Sequence, residues 1–246
     1  NPVKTLPNDP QLGPLAGLPL VTDHQEENYN NASNQALEGF ADANYQLTSK
    51  LSITAGVRVI SEWISLTNRA QMTGGSPSTL GFLSGNYPNL FFKPSDEQEI
   101  HTSNLAFTWR SGLRYSFNEN SSLFGNYSRG RRPEVMQFTS AGEQQVLDAE
   151  IVNSFDLGYK ASVDQRLWFD IGLFYYNYLN FQTSAWVADP GTGEYDYIVK
   201  DGGKASGYGT EVNVKYMVLK ELQFFGNYAY IHARFAEKDV DGAILY

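Results

Sequence analysis

Three arginines, Arg129, Arg131 and Arg132, lie within four consecutive positions of the 246-residue chain. Planar guanidinium groups bind carboxylate, phosphate and chelate oxygens through paired hydrogen bonds, so the cluster is a candidate ligand clamp. The competing use is internal: Glu134, Glu143 and Glu150 follow closely, and each could neutralise one arginine, as could lipopolysaccharide. Trp186, Tyr195 and Tyr197 are the second candidate set, with ring faces that could stack on a ligand or on one another. Catalytic patterns are scarce. His24, His101 and His232 show no His-Glu-x-x-His spacing, and no Gly-x-Ser-x-Gly elbow occurs. Gly191-Thr192-Gly193 lacks the lysine of a phosphate loop. Asp239-Val240-Asp241-Gly242 opens like a calcium loop without its distal glutamate. The chain has no cysteine, so it has no thiolate nucleophile and no disulfide frame. No enzyme activity, metal site or cofactor is expected.

The elements that must carry these residues are strands. Between 34 and 47, Leu37, Ala41, Ala43, Tyr45 and Leu47 alternate with Glu38, Asp42, Asn44 and Gln46. That period of two is a strand signal. It recurs over 51–66, 103–117, 121–130, 150–163, 166–181, 204–218 and 221–235, with no competing helical period. Most of these segments are about twice the roughly five or six residues of an ordinary strand. Their connections alternate between hairpin-sized turns, near Thr48-Ser49-Lys50, Asn118-Glu119-Asn120, Asp164-Gln165 and Leu219-Lys220, and long segments at 67–102, 131–149 and 182–203. The pattern predicts an all-β, antiparallel, up-and-down transmembrane barrel, present as about eight long strands with turns at one end and outer loops at the other. Residues 1–33, rich in proline and then polar, read as an outer loop, and 236–246 as the start of the next.

Charge separates the two faces. Arg58, Arg110, Arg114, Asp156, Lys160 and Glu211 fall on one face, which reads as a polar lumen; the central stretches of the other face carry no charge and read as lipid-facing. Outward tyrosines before the turns (Tyr45, Tyr115, Tyr159, Tyr216) and toward the loops (Trp63, Tyr127, Tyr175, Tyr230) suit two interfacial girdles. With 18 basic and 27 acidic residues, the net charge of −9 argues against a nucleic-acid partner. The acid excess sits in the loops, where it keeps an outer surface soluble or attracts a cationic or metal-bearing ligand. Both ends of the sequence fall on the loop side, so further strands are expected on both flanks.

Tyr127-Ser128-Arg129-Gly130-Arg131-Arg132-Pro133-Glu134, then Ser154-Phe155-Asp156-Leu157-Gly158-Tyr159-Lys160 and Phe174-Tyr175-Tyr176-Asn177-Tyr178, resemble the C-terminal half of the barrel in TonB-dependent receptors. Leu51 to Arg58 and Gly207 to Val212 share the resemblance, which covers about 34–235. It implies a parent 22-stranded outer-membrane barrel of which this chain is similar to strands 14 to 21. Its plug domain and TonB-interacting segment are expected outside these residues. It also implies active import of a scarce small-molecule or oligomeric nutrient, such as a siderophore, cofactor, glycan or peptide, across the bacterial outer membrane, with lipid and lipopolysaccharide around it. A passive channel, an adhesin barrel and a soluble lipocalin-like barrel are the alternative readings.

Overall fold

The computed structural model describes residues 6–18, 23–139, 141–188 and 195–235. Among these residues twelve strands follow in chain order: β1 (His24–Gln46), β2 (Leu51–Gly75), β3 (Ser95–Asn118), β4 (Ser121–Arg132), β5 (Val135–Phe138), β6 (Gln144–Leu147), β7 (Glu150–Val163), β8 (Leu167–Leu179), β9 (Gln182–Ala188), β10 (Tyr195–Asp201), β11 (Ala205–Leu219) and β12 (Leu222–Phe235). Eight of them form one antiparallel meander in the order β1-β2-β3-β4-β7-β8-β11-β12. The remaining four are two hairpins, β5 with β6 and β9 with β10, inside what sequence alone presents as loops. Among the described residues no helix is long and apolar enough to cross a membrane.

The tight turns follow from their residues. Thr48 Oγ1 accepts hydrogen bonds from the Lys50 and Leu51 N–H groups at 3.2 and 3.0 Å, and Asn118 Oδ1 accepts from the Asn120 N–H at 2.8 Å. Asp164 and Gln165 both adopt positive φ, 51° and 53°, as a hairpin turn matched to strand twist requires.

Three strands overrun their expected bounds by many residues, and β4 by two. β1 starts at His24, within the segment expected to be loop, and β2 and β3 reach into the expected 67–102 loop. The extension carries Asn28, Asn30, Asn31, Asn68 and Arg69, without apolar alternation, because both of its faces are polar. Its regularity comes from the backbone ladder, which runs from Gln46↔Ser52 to His24↔Gly75 with one bulge between Gln25 and Glu26. Pro10–Leu15 forms a short 3-10 helix where prolines argue against regular helix: Pro10 begins it, where its missing N–H costs nothing, and Asp9 accepts from the Gln11 N–H at 2.9 Å.

Cross-strand partners share a face, so the register sorts the side chains. One face carries Leu105 (65% exposed), Leu113 (55%) and Leu173 (52%), large apolar groups with no protein cover, as lipid contact requires. Among the described residues buried apolar side chains are few, and a conventional core is absent from the eight-stranded sheet. The opposite face holds Arg58, Arg110, Arg114, Asp156, Lys160 and Glu211, as their pairings with Thr108, Gly56, Ser52, Asn126, Ser122 and Gly172 show. It is not purely polar: Phe124, Trp168, Phe174, Tyr176 and Tyr178 share it. Glycines lie opposite three of them, Phe124, Phe174 and Tyr176. A Cβ added at Gly158 would meet the Phe124 ring at 2.2 Å, and one at Gly207 the Tyr176 ring at 2.4 Å. Those glycines leave room for rings to lie flat against the wall. The rings also serve cations, with Lys160 Nζ 5.4 Å from the Phe124 centroid and Lys215 Nζ 5.4 Å from that of Trp168.

Candidate ligand-binding mouth

The clustered arginines have three different surroundings. Arg129 pairs with Trp109 across β3 and β4, and so sits on the apolar side of the sheet; its guanidinium lies 5.2 Å from the Trp109 ring centroid and donates to Asn153 Oδ1 at 3.3 Å. Arg131 lies past the last β3–β4 pair, where β4 leaves its neighbour. There its guanidinium is held between the carboxylates of Glu62, on β2, and Glu134, with all three side chains largely buried. Arg132 stands opposite Glu150 in the β4–β7 ladder. The structure does not bring the three guanidinium groups into one clamp. For Arg131 the pairing with Glu134 foreseen from spacing is present. Its second partner Glu62 is distant in sequence, so spacing could not reveal it.

Trp186 and Tyr197 face each other across the β9–β10 hairpin, with ring centroids 5.3 Å apart, and both stay more than half exposed. The Tyr195 side chain lies outside the described residues, as do Gly191-Thr192-Gly193 and Asp239-Val240-Asp241-Gly242. On the polar face, Arg58 meets Glu38, Arg110 meets Asp42 at 2.8 Å and Lys160 meets Asp170 at 3.2 Å. These pairs are roughly half exposed and contribute little stability individually.

Sequence reasoning missed the convergence of the outer segments. The β5–β6 hairpin is yoked to β10 by one side chain: Gln137 Nε2 donates to the Val199 carbonyl at 2.6 Å and Gln137 Oε1 accepts from the Val199 N–H at 3.0 Å. The 76–94 segment is fastened to β1 by Glu26, whose carboxylate accepts from the Leu90 and Phe91 N–H groups and lies 2.7 Å from His24 Nε2. Burial pushes the Glu26 carboxyl up, but these hydrogen bonds outweigh it and leave it below the usual carboxylate range. Where these segments meet the β1–β2 extension, a cavity of about 170 Å³ is lined by residues including Asn28, Asn68, Phe92, Lys93, Phe138 and Tyr197. Asn68 Nδ2 donates to Asn28 and Asn30 at 2.8 and 2.9 Å, and among the described residues no carboxylate lines the space. Amide, ring and ammonium groups together can hold a polar or anionic group of a small molecule.

The histidines stay apart: His24 is bound to Glu26, His101 is 3.3 Å from Glu99, and the His232 ring lies 5.3 Å from that of Tyr208 on the apolar side. Among the described residues, no three His, Asp or Glu groups gather as metal ligands do.

A family model described as TonB dependent receptor-like, beta-barrel matches residues 4–244. The chain belongs to the TonB-dependent receptor β-barrel family. This family is one of outer-membrane transport receptors of Gram-negative bacteria, and the strand order, turn-and-loop alternation and apolar face are those of a portion of its barrel. The chain is similar in fold to the ferric yersiniabactin uptake receptor FyuA from Yersinia pestis, at TM-score 0.66 and 14% identity over 89% of this chain and 29% of that one. It is similar also to the ferric-catecholate import receptor Fiu from E. coli K12, at TM-score 0.58 and 20% identity over 85% and 29%. The copper transporter OprC matches at TM-score 0.59 and 10% identity, over 83% and 30%. This TonB-dependent receptor chain thus spans less than a third of the length of those structures. Among curated proteins, none matches it by sequence.

Proposed function

We propose that the full-length receptor binds a scarce solute at its outer mouth and imports it with energy delivered through TonB, and that this chain supplies strands 14 to 21 of a 22-stranded barrel. Residues 1–23 and 236–246 would then belong to outer loops, and the plug domain and the TonB-interacting segment to other parts of the protein. The observation that carries the reading is the convergence of the β5–β6 and β9–β10 hairpins with the β1–β2 extension around a polar cavity. Loops that only kept a surface soluble would not need Gln137 and Glu26 to join them. In the functional reading Tyr197 and Trp186 are contacts to cargo, and Arg58, Arg110, Arg114, Asp156, Lys160 and Glu211 line the lumen. The neighbouring structures carry iron chelates and copper in their names, which favours a metal-bearing solute. The test is uptake of radiolabelled ferric siderophores and copper by the host strain, with the receptor gene intact, deleted, or intact in a strain without TonB. Uptake of one class should require both the receptor and TonB. Uptake that requires the receptor but persists without TonB would replace import with a passive channel.

A further inference from the structure

The register exposes a row of side chains that runs across the outward face and changes character along its length. From β3 to β12 the directly paired residues are Trp109, Arg129, Asn153, Asn177, Ser206 and Arg234. The row one step nearer the tight turns, on the same face, includes Tyr127, Phe155, Tyr175 and Tyr208. Those rings form an aromatic belt, with Tyr127 and Phe155 centroids 4.9 Å apart and Phe155 and Tyr175 6.2 Å apart. Below the belt the face is apolar. Immediately above it come two cations, two amides and a hydroxyl, and no carboxylate, in a chain with a net charge of −9. Arg129 is held in place: its guanidinium stacks on Trp109, and Asn153 Oδ1 accepts from both Arg129 at 3.3 Å and the Tyr127 hydroxyl at 2.9 Å. With its carbonyl oxygen occupied twice, Asn153 keeps its NH2 group as a donor beside the free edge of the guanidinium.

We propose that this row is a binding surface for the phosphate of an outer-leaflet lipid, with Arg129 as its central contact and the acyl chains lying on the aromatic belt. Charge complementarity selects an anion, because a fixed guanidinium flanked by amide donors matches phosphate oxygens. The continuous apolar surface directly beneath selects an amphiphile over a free ion, since only a lipid places phosphate immediately above hydrocarbon. Aromatic rings at that depth sit between the two phases. The inference is independent of which solute the receptor carries.

The test uses the full-length receptor, delipidated in detergent and titrated by native mass spectrometry with diphosphorylated lipid A, with dephosphorylated lipid A, and with the former plus inorganic phosphate. The wild type should retain the diphosphorylated lipid at about tenfold lower concentration than the dephosphorylated one. Arg129→Ala should abolish that preference, Arg129→Lys should keep part of it, and millimolar inorganic phosphate should not displace the lipid. Heat-modifiable electrophoretic mobility reports whether each variant is folded. Should Arg129→Ala not fold, Asn177→Leu is expected to reduce the preference in its place. Equal retention of the two lipids by the wild type, or an undiminished preference in a folded Arg129→Ala variant, would overturn the proposal. Displacement by inorganic phosphate would also overturn it, in favour of a free-anion site.

Discussion

Gln137 occupies Val199 as a neighbouring strand would, donating to its carbonyl at 2.6 Å and accepting from its N–H at 3.0 Å. One side-chain amide thereby joins two hairpins that the backbone leaves separate, and sets Tyr197 and Ile198 at the edge of the mouth cavity.

Replacing Gln137 with leucine keeps the size and removes both bonds, together with the one that Gln137 Nε2 donates to Gln145 Oε1 within the β5–β6 hairpin, leaving the Val199 groups partnerless on that side. The expected loss is about 1–3 kcal/mol of local stability. Hydrogen exchange of the full-length receptor should then be faster over 195–201 and unchanged in β7 and β8. Equal exchange in the two proteins would mean that the hairpins are held by other contacts.

Arg131 is a different kind of lock, a buried cation between two carboxylates at the point where β4 leaves β3. Arg131→Ala leaves Glu62 and Glu134 facing each other and should cost on the order of 3–5 kcal/mol. Limited proteolysis around 133–149, in folded receptor, is expected to accelerate. Arg131→Lys should rescue poorly, because a single ammonium cannot bridge both carboxylates in the same fork.

Glu26 makes the 76–94 segment sensitive to acid. Its carboxyl is depressed in the folded protein below the ordinary carboxylate range, so its contribution is fully present above that range. It is lost as pH falls through the folded value. Protection from exchange at Leu90 and Phe91, corrected for the intrinsic rate at each pH, should fall in acid, and Glu26→Gln should remove most of that dependence. A pH profile identical in the variant would exclude Glu26 as the responsible group.

Glycines in the sheet are not equivalent. A Cβ at Gly209 would sit 2.1 Å from the Tyr230 carbonyl oxygen, a backbone atom that cannot turn aside, whereas nothing lies within 4 Å of one at Gly39. Gly209→Ala should destabilise the barrel by about 1–3 kcal/mol and lower its folded yield. In the same chain Gly39→Ala should change neither its heat-modifiable mobility nor its yield.

Sequence alone determined the architecture, because a strand that meets lipid on one side must alternate, and eight long alternating segments with short and long connections admit few arrangements. The sorting of Arg58, Arg110, Arg114, Asp156, Lys160 and Glu211 from the apolar positions follows from the same parity and needs no tertiary information. Parity failed where its cause was absent. The 24–33 extension of β1 has no apolar face to announce it, and Phe174 and Tyr176 sit on the polar face because Gly209 and Gly207 on the adjoining strand make room for them. Only the tertiary structure decided the fate of the arginines. Arg129 turns to Trp109 on the outward face, and Arg131 reaches Glu62, because where β4 parts from β3 depends on pairing between strands. The mouth cavity was equally hidden: its walls come from Asn28, Lys93, Phe138 and Tyr197, which share no local pattern, and what unites them is the hydrogen bonding of Gln137 and Glu26 across long stretches of chain.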